Sequence, residues 1–222
     1  MLVLGMDSAT SACSVAVLRD GRVVAHEFEA MVKRQAAALV PMIARVLKAA
    51  SSSVIELDLI AVTVGPGAYT GVRIGLSTAQ TLSLAAQVPL VGVTTLEAVA
   101  GAIGPSMEDI LVVMETKRSD FYVQLFRKDG TTGADPAAMN AADLLKAFPE
   151  AEVRLAGDAA ERAAEVFRKA GRAVFVVSPD GLPDAVWVSR VGAGRAEEAY
   201  IGFAKPLYLR PPDARPPSVR VR

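Results

Sequence analysis

Leu57-Asp58-Leu59-Ile60-Ala61-Val62-Thr63-Val64 runs directly into Gly65-Pro66-Gly67-Ala68-Tyr69-Thr70-Gly71-Val72-Arg73-Ile74-Gly75, and this passage decides the fold. The first eight residues are β-branched and nearly all apolar, the pattern of a strand covered on both faces. The next residues turn that strand into a helix. Gly65, Gly67 and Gly71 allow close backbone approach, Pro66 fixes one φ, and Thr70 is expected to cap the helix behind it. Such a loop serves either as a tight strand-to-helix turn or as a cradle for an anion at the helix N-terminus. It is not a Walker-type loop, because no Lys-Ser or Lys-Thr follows the last glycine.

The helix expected over residues 72–87 carries one charge, Arg73. A helix on the surface of a monomer should set a charged face against an apolar one, so this helix calls for cover on its second side. The helix expected over 34–50 also has a thin polar face. Leu39, Met42, Ile43 and Val46 on the first helix, with Ile74, Thr78, Thr81, Leu82 and Ala85 on the second, are therefore the candidate partner-interface residues, and a homodimer is expected of the chain alone. Arg73 lies in the first helical turn, where the macrodipole disfavours a cation. Its compensation comes either from Asp7 or from an acidic group or anion on a partner. Asp7, Gly65, Gly67, Thr70, Gly71 and Arg73 make the candidate shared anion site.

Composition narrows the class. With 52% hydrophobic and 22% charged residues the chain is globular, and its formal charge of zero gives no global attraction for nucleic acid or an anionic membrane. Cys13 is the single cysteine, so no intramolecular disulfide forms and a reducing cytoplasm fits. Asp7 interrupts the N-terminus too early for a secretory h-region. The uncharged run from Ile74 to Leu96 is broken by Gln80, Gln87 and Pro89, and reads as a soluble helix and strand instead of a membrane span.

In order, strands are expected at 1–6, 12–18 and 22–28, with Asp20-Gly21 as the hairpin turn between the last two. Helix 34–50 contains Pro41, which kinks it or marks a restart. Strand 57–64, helix 72–87, strand 89–93 and helix 95–103 follow. Gly104-Pro105-Ser106 is the expected boundary between a first lobe, 1–104, and a smaller second lobe, 105–204. The second lobe starts with a hairpin, 110–115 and 120–127, and ends with a helix over 185–198. Residues 205–222 form an extended, basic, proline-rich tail.

Enzymatic readings find little support. His26 is the only histidine, which leaves neither a zinc ligand set nor a base for a serine nucleophile. Glu115-Thr116-Lys117-Arg118-Ser119-Asp120 has no glycine to admit a phosphate, and Leu155-Ala156-Gly157-Asp158 has one. No catalytic residue and no metal site is assigned. Asp7 reads either as a holder of metal-bound water or, more plainly, as a strand-end aspartate capping its own turn.

Three strands, a helix, a strand, a helix and a strand is the order of one lobe of the actin, sugar-kinase and chaperone-ATPase superfamily. Gly5-Met6-Asp7-Ser8, the Gly65 to Gly75 stretch and Tyr208-Leu209-Arg210 together resemble the TsaB family, also called YeaZ, of bacterial factors in making threonylcarbamoyladenosine in tRNA. The resemblance implies a two-lobed α/β fold of the ASKHA, ribonuclease H-like type, with mixed sheets flanked by helices. It implies a noncatalytic activating subunit that pairs with a TsaD-type catalytic subunit, works with a TsaE-type ATPase and meets tRNA through the complex. It implies no cofactor for this chain alone and leaves open ATP or ADP at a site shared with partners. The chain departs from the family at Gln35-Ala36-Ala37, where relatives carry His-Ser-Glu. A small-molecule or nucleotide kinase of the same superfamily is the alternative.

Overall fold

The computed structural model describes residues 1–104, 108–149, 152–178 and 181–210. Two sheets organise it. The first contains β1 (Leu2–Asp7), β2 (Ala12–Arg19), β3 (Arg22–Ala30), β4 (Leu59–Thr63), β5 (Pro89–Val93) and a short edge strand far along the chain, Tyr200–Ile201, in the order edge strand, β5, β4, β1, β2, β3. β1, β2 and β3 form an antiparallel meander, with Asp20 and Gly21 at positive φ in the turn. β4 and β5 continue the sheet in parallel with β1, each reached through a helix. α1 (Gln35–Ala49) precedes β4, and α2 (Tyr69–Ala86) joins β4 to β5.

Strand alternation sorts the core. Leu2, Leu4 and Met6 of β1 point toward α1 and α2, in one cluster with Leu39, Met42, Val72 and Leu76. Val3 points to the opposite face, in a cluster with Leu59, Ala61, Val91, Ala185 and Val188. Cys13 is buried in β2, as its apolar surroundings suggest, and burial pushes its thiol up to about 12.

The second sheet uses β6 (Ile110–Glu115), β7 (Phe121–Phe126), β8 (Ala137–Met139), β9 (Glu152–Ala156) and β10 (Ala173–Ser178), in the order β10, β9, β6, β7, β8. α4 (Ala141–Ala147) and α5 (Ala160–Lys169) belong to this sheet, and Ala163, Ala164 and Phe167 of α5 join the cluster on one face. α3 (Thr95–Ile103) packs on the other face through Leu96 and Val99. α6 (Ala185–Ala193) lies against β1, β2 and β4 and against α3. The layers therefore run α1 and α2, first sheet, α6 and α3, second sheet, α5 and α4.

This arrangement corrects the expected division at residues 104 and 204. α6 and the edge strand that follows it, now β11 (Tyr200–Ile201), return to the first sheet, so the second lobe is an insertion rather than a C-terminal half. The boundary residues 105–107 and the tail beyond 210 lie outside the described residues. α6 is also shorter than expected, ending at a Gly194 C-cap. Pro41 does not interrupt α1: it sits on the exposed side and the helix runs through it. β8 is an alanine-rich strand whose composition carries no strand signal.

A second correction concerns the proposed interface. Leu39, Met42, Ile43 and Val46 are between 0% and 4% exposed and form the core beneath α1, so none of them is available to a partner. The thin polar face of α1 hid which apolar side turns inward. Ile43→Val should therefore lower unfolding stability by about 0.5–1.5 kcal/mol through a small cavity. Affinity for any partner on the helical face should stay unchanged, as chemical denaturation and calorimetry would read.

Candidate functional site

The strand-to-helix loop is clamped on several sides. The Gly65–Pro66 bond is cis, Thr95 donates its N–H to Gly65 O at 3.0 Å, and the Thr95 hydroxyl donates to Pro66 O. Ala68 N–H donates to Ala9 O at 2.7 Å, and Ser8 Oγ donates to Gly71 O at 2.9 Å. A Cβ on Gly67 would come within 2.3 Å of Ala9 O, and one on Gly71 within 2.2 Å of Ser8 O. Both glycines are thus required for the β1–β2 turn and the loop to touch backbone to backbone. Thr70 is exposed and caps nothing, because α2 starts one residue earlier, at Tyr69, with Ala68 at the cap position.

Asp7 ends β1 in full burial. Its Oδ1 accepts from Thr63 Oγ1 at 2.6 Å and from Ala9 N–H at 3.1 Å, while Oδ2 has no partner among the described residues. Burial pushes the carboxyl up to about 7, against the pull of these two bonds. The Ala9 bond is the strand-end turn expected of this aspartate.

The expected pairing of Asp7 with Arg73 does not form. Asp7 lies inside, on the face of β1 that carries Val3 and Gly5, whereas Arg73 is exposed on α2. The Arg73 guanidinium instead lies 3.9 Å from the centre of the Tyr69 ring, and its Nε donates to Tyr208 Oη at 3.2 Å. The two tyrosine rings are 5.3 Å apart. The phenolic bond holds the Arg73 pKa above its ordinary value.

Tyr208 belongs to a strap, residues 204–210, that crosses the first sheet and reaches the second lobe. Gln80 Nε2 donates to Ala204 O at 3.1 Å, and Leu207 N–H donates to Val64 O at 2.8 Å. Arg210 then donates to Asp120 Oδ1 at 2.8 Å. Asp120 is itself held by Thr116 Oγ1 at 2.7 Å. Arg162 grips Glu115 with two bonds, donates to Asp120 O, and stacks 3.8 Å over Phe121. Tyr208 and Arg210 carried the family likeness in sequence without any hint of this bridge, whose partner lies 90 residues away.

Between the two lobes Ala9, Thr10, Gly67 and Ala68 face Glu115, Lys117, Tyr122 and Asp158 across a cavity of about 210 Å³. This is below the roughly 300–1,000 Å³ usual for a small-molecule site. Asp158 accepts from Glu115 N–H at 2.8 Å, and burial pushes its carboxyl up to about 6. Gln35, at the departure from the family pattern, donates from Nε2 to Thr10 O and to Met31 O, tying the start of α1 to the β1–β2 turn. His26 lies in β3, with Nε2 3.0 Å from Asp184 Oδ1. Among the described residues no group of three or more His, Cys, Asp or Glu is placed to hold a metal, and no helix is long and apolar enough to cross a membrane.

The outward faces of α1 and α2 are a further feature. Val40 and Leu84 are 57% and 56% exposed. Around them stand Ala36, Ala37, Pro41 and Ala44 on α1, and Ser77, Thr81 and Ala85 on α2. Ile74, Thr78 and Leu82 are half-buried at the edge of this face, with Ile74 and Leu82 packed against the core beneath. Of the residues named from sequence on α2, Thr81 and Ala85 are exposed and Ile74, Thr78 and Leu82 half-buried, whereas the four named on α1 are buried.

Residues 26–182 match the family model described as TsaD, tRNA N6-adenosine threonylcarbamoyltransferase. The chain is 36% identical over 131 residues to the tRNA threonylcarbamoyladenosine biosynthesis protein TsaB of Escherichia coli. The matched part is 58% of this chain and 56% of that relative, so the chain spans about half the length of this relative. The structure is similar to that of YeaZ from Pseudomonas aeruginosa, with a TM-score of 0.75 and 26% identity, covering 94% of this chain and 99% of that one. A polyphosphate/ATP-glucomannokinase from Arthrobacter is similar in fold alone, with a TM-score of 0.53 and 10% identity over 87% of this chain and 99% of that one. The mixed sheets flanked by helices are thus a fold shared with YeaZ and with that sugar kinase.

Proposed function

This chain belongs to the TsaB/YeaZ family, and from that membership we propose that it works in tRNA threonylcarbamoyladenosine biosynthesis as a noncatalytic subunit activating a TsaD-type transferase. The observation that carries the reading is the outward face of α1 and α2. Val40 and Leu84 stand exposed there among small and neutral side chains, a surface suited to another helical face and not to water. The tightly packed glycine loop and the small interlobe cavity favour a support role over phosphoryl transfer.

In this reading the chain alone carries no cofactor, and any ATP or ADP belongs to a seam shared with the TsaD-type subunit or a TsaE-type ATPase. tRNA is met through the complex. Without its partner the chain covers the same face by pairing with a second copy. The test is co-purification with the TsaD-type protein of the same organism, followed by nucleoside analysis of tRNA incubated with and without this chain. Modification that needs both proteins is the expected result. Full modification in the absence of this chain would overturn the proposal.

A further inference from the structure

Arg73 is a cation held by two tyrosines and paired with no carboxylate among the described residues. Arg45, Arg127, Arg162, Arg195 and Arg210 each grip a carboxylate in this fold. Arg73 has no carboxylate within ion-pair distance among the described residues, and the first turn of α2 contains no acidic residue. Arg73 is the fifth residue of α2, a turn in from the N-terminus, and no acidic residue of the helix offsets its charge. The guanidinium is nevertheless held by Tyr69 beneath it and by the Tyr208 hydroxyl at Nε, and no carboxylate among the described residues meets its terminal nitrogens.

We propose that this fork is a preorganised receptor for a carboxylate on the TsaD-type partner, an inference that rests on the pairing proposed above and gives that interface its polar anchor. Charge complementarity commits the occupant: α2 offers one cation and no other ionic group. A planar fork beside neutral residues matches a single carboxylate in two parallel bonds. Stacking on Tyr69 removes in advance the rotamer freedom that binding would otherwise cost. Clusters of tyrosine and arginine of this kind dominate the energetics of protein interfaces.

The strap explains why Tyr208 is where it is. Leu207 is bonded to Val64 on one side and Arg210 to Asp120 on the other, so Tyr208 is pinned between two anchors. Tyr208 is a positioning residue for Arg73, and the interlobe bridge at Arg210 keeps that arrangement taut.

The experiment titrates the full chain with the TsaD-type protein by calorimetry at low and high salt, for wild type, Arg73→Ala, Arg73→Lys and Tyr208→Phe. Arg73→Ala should weaken binding about 30-fold or more and abolish most of its salt dependence. Arg73→Lys should restore the charge but not the fork, leaving a loss of about tenfold. Tyr208→Phe keeps the ring, removes the acceptor and should weaken binding several-fold at an unchanged melting temperature. Binding by Arg73→Ala within about twofold of wild type would overturn the inference and leave the pairing intact. Wild-type affinity in Arg73→Lys would overturn the fork, and binding of inorganic phosphate that disappears in Arg73→Ala would assign the cation to a different ligand. If wild type does not bind the TsaD-type protein at all, both the inference and the pairing fall.

Discussion

Val40→Glu and Leu84→Glu, each made singly, are expected to weaken association with the TsaD-type partner by about 100-fold or more. Both side chains project from the outer faces of their helices and are more than half exposed. A carboxylate there is solvated in the free chain, and exposed substitutions of this sort usually change stability by no more than about 0.5 kcal/mol. In a complex the same carboxylate would be buried against apolar side chains without a partner. A penalty of about 3 kcal/mol corresponds to the predicted loss of affinity. The same variants should convert a homodimer of the free chain into a monomer. Calorimetry would supply the affinity, sedimentation the mass and thermal melting the control. Unchanged affinity in both variants would remove this face from the interface.

The second large effect belongs to Asp7. Its folded-state carboxyl titrates at about 7, above its ordinary value of 3.8, because burial disfavours the charge. The folded chain therefore holds a proton that the unfolded chain has released across this window. The stabilising contribution is complete below the unfolded value and is lost as pH rises through the folded one. Between pH 5 and pH 8 this group alone should remove roughly 3 kcal/mol of stability, from about two pH units at 1.36 kcal/mol each. Asp7→Asn keeps an oxygen for Thr63 and Ala9 and cannot ionise, so its stability should be much flatter with pH. Urea unfolding of both proteins at pH 5 and pH 8 reads the difference. Equal pH dependence in the two would mean that the carboxyl does not carry the proton.

The features of this fold that sequence makes legible are local ones. The passage from Leu57 to Gly75 was legible because β-branching, glycines and a helix with a single charge are all local patterns. The same local view placed α1 correctly and then turned it the wrong way, since a helix apolar nearly all round gives no direction for its buried side. The Asp7–Arg73 pairing failed for a related reason. Chain order brings both loops to one sheet edge, but strand alternation puts Asp7 inside and leaves Arg73 on the surface. Neither the return of α6 to the first sheet nor the reach of Arg210 to Asp120 has any signature within a window of sequence. Both depend on contacts between residues far apart in the chain.

The return of α6 also has a consequence for synthesis. When the first 104 residues have left the ribosome, Val3, Leu18, Leu59 and Val91 still wait for Ala185 and Val188, their cover in the finished protein. About 90 more residues must be translated first, which takes roughly 4 to 18 seconds at 5–20 residues per second. Through that interval the nascent sheet has one greasy side open, so a chaperone on that side, or slow release from the ribosome, would govern the yield of native protein.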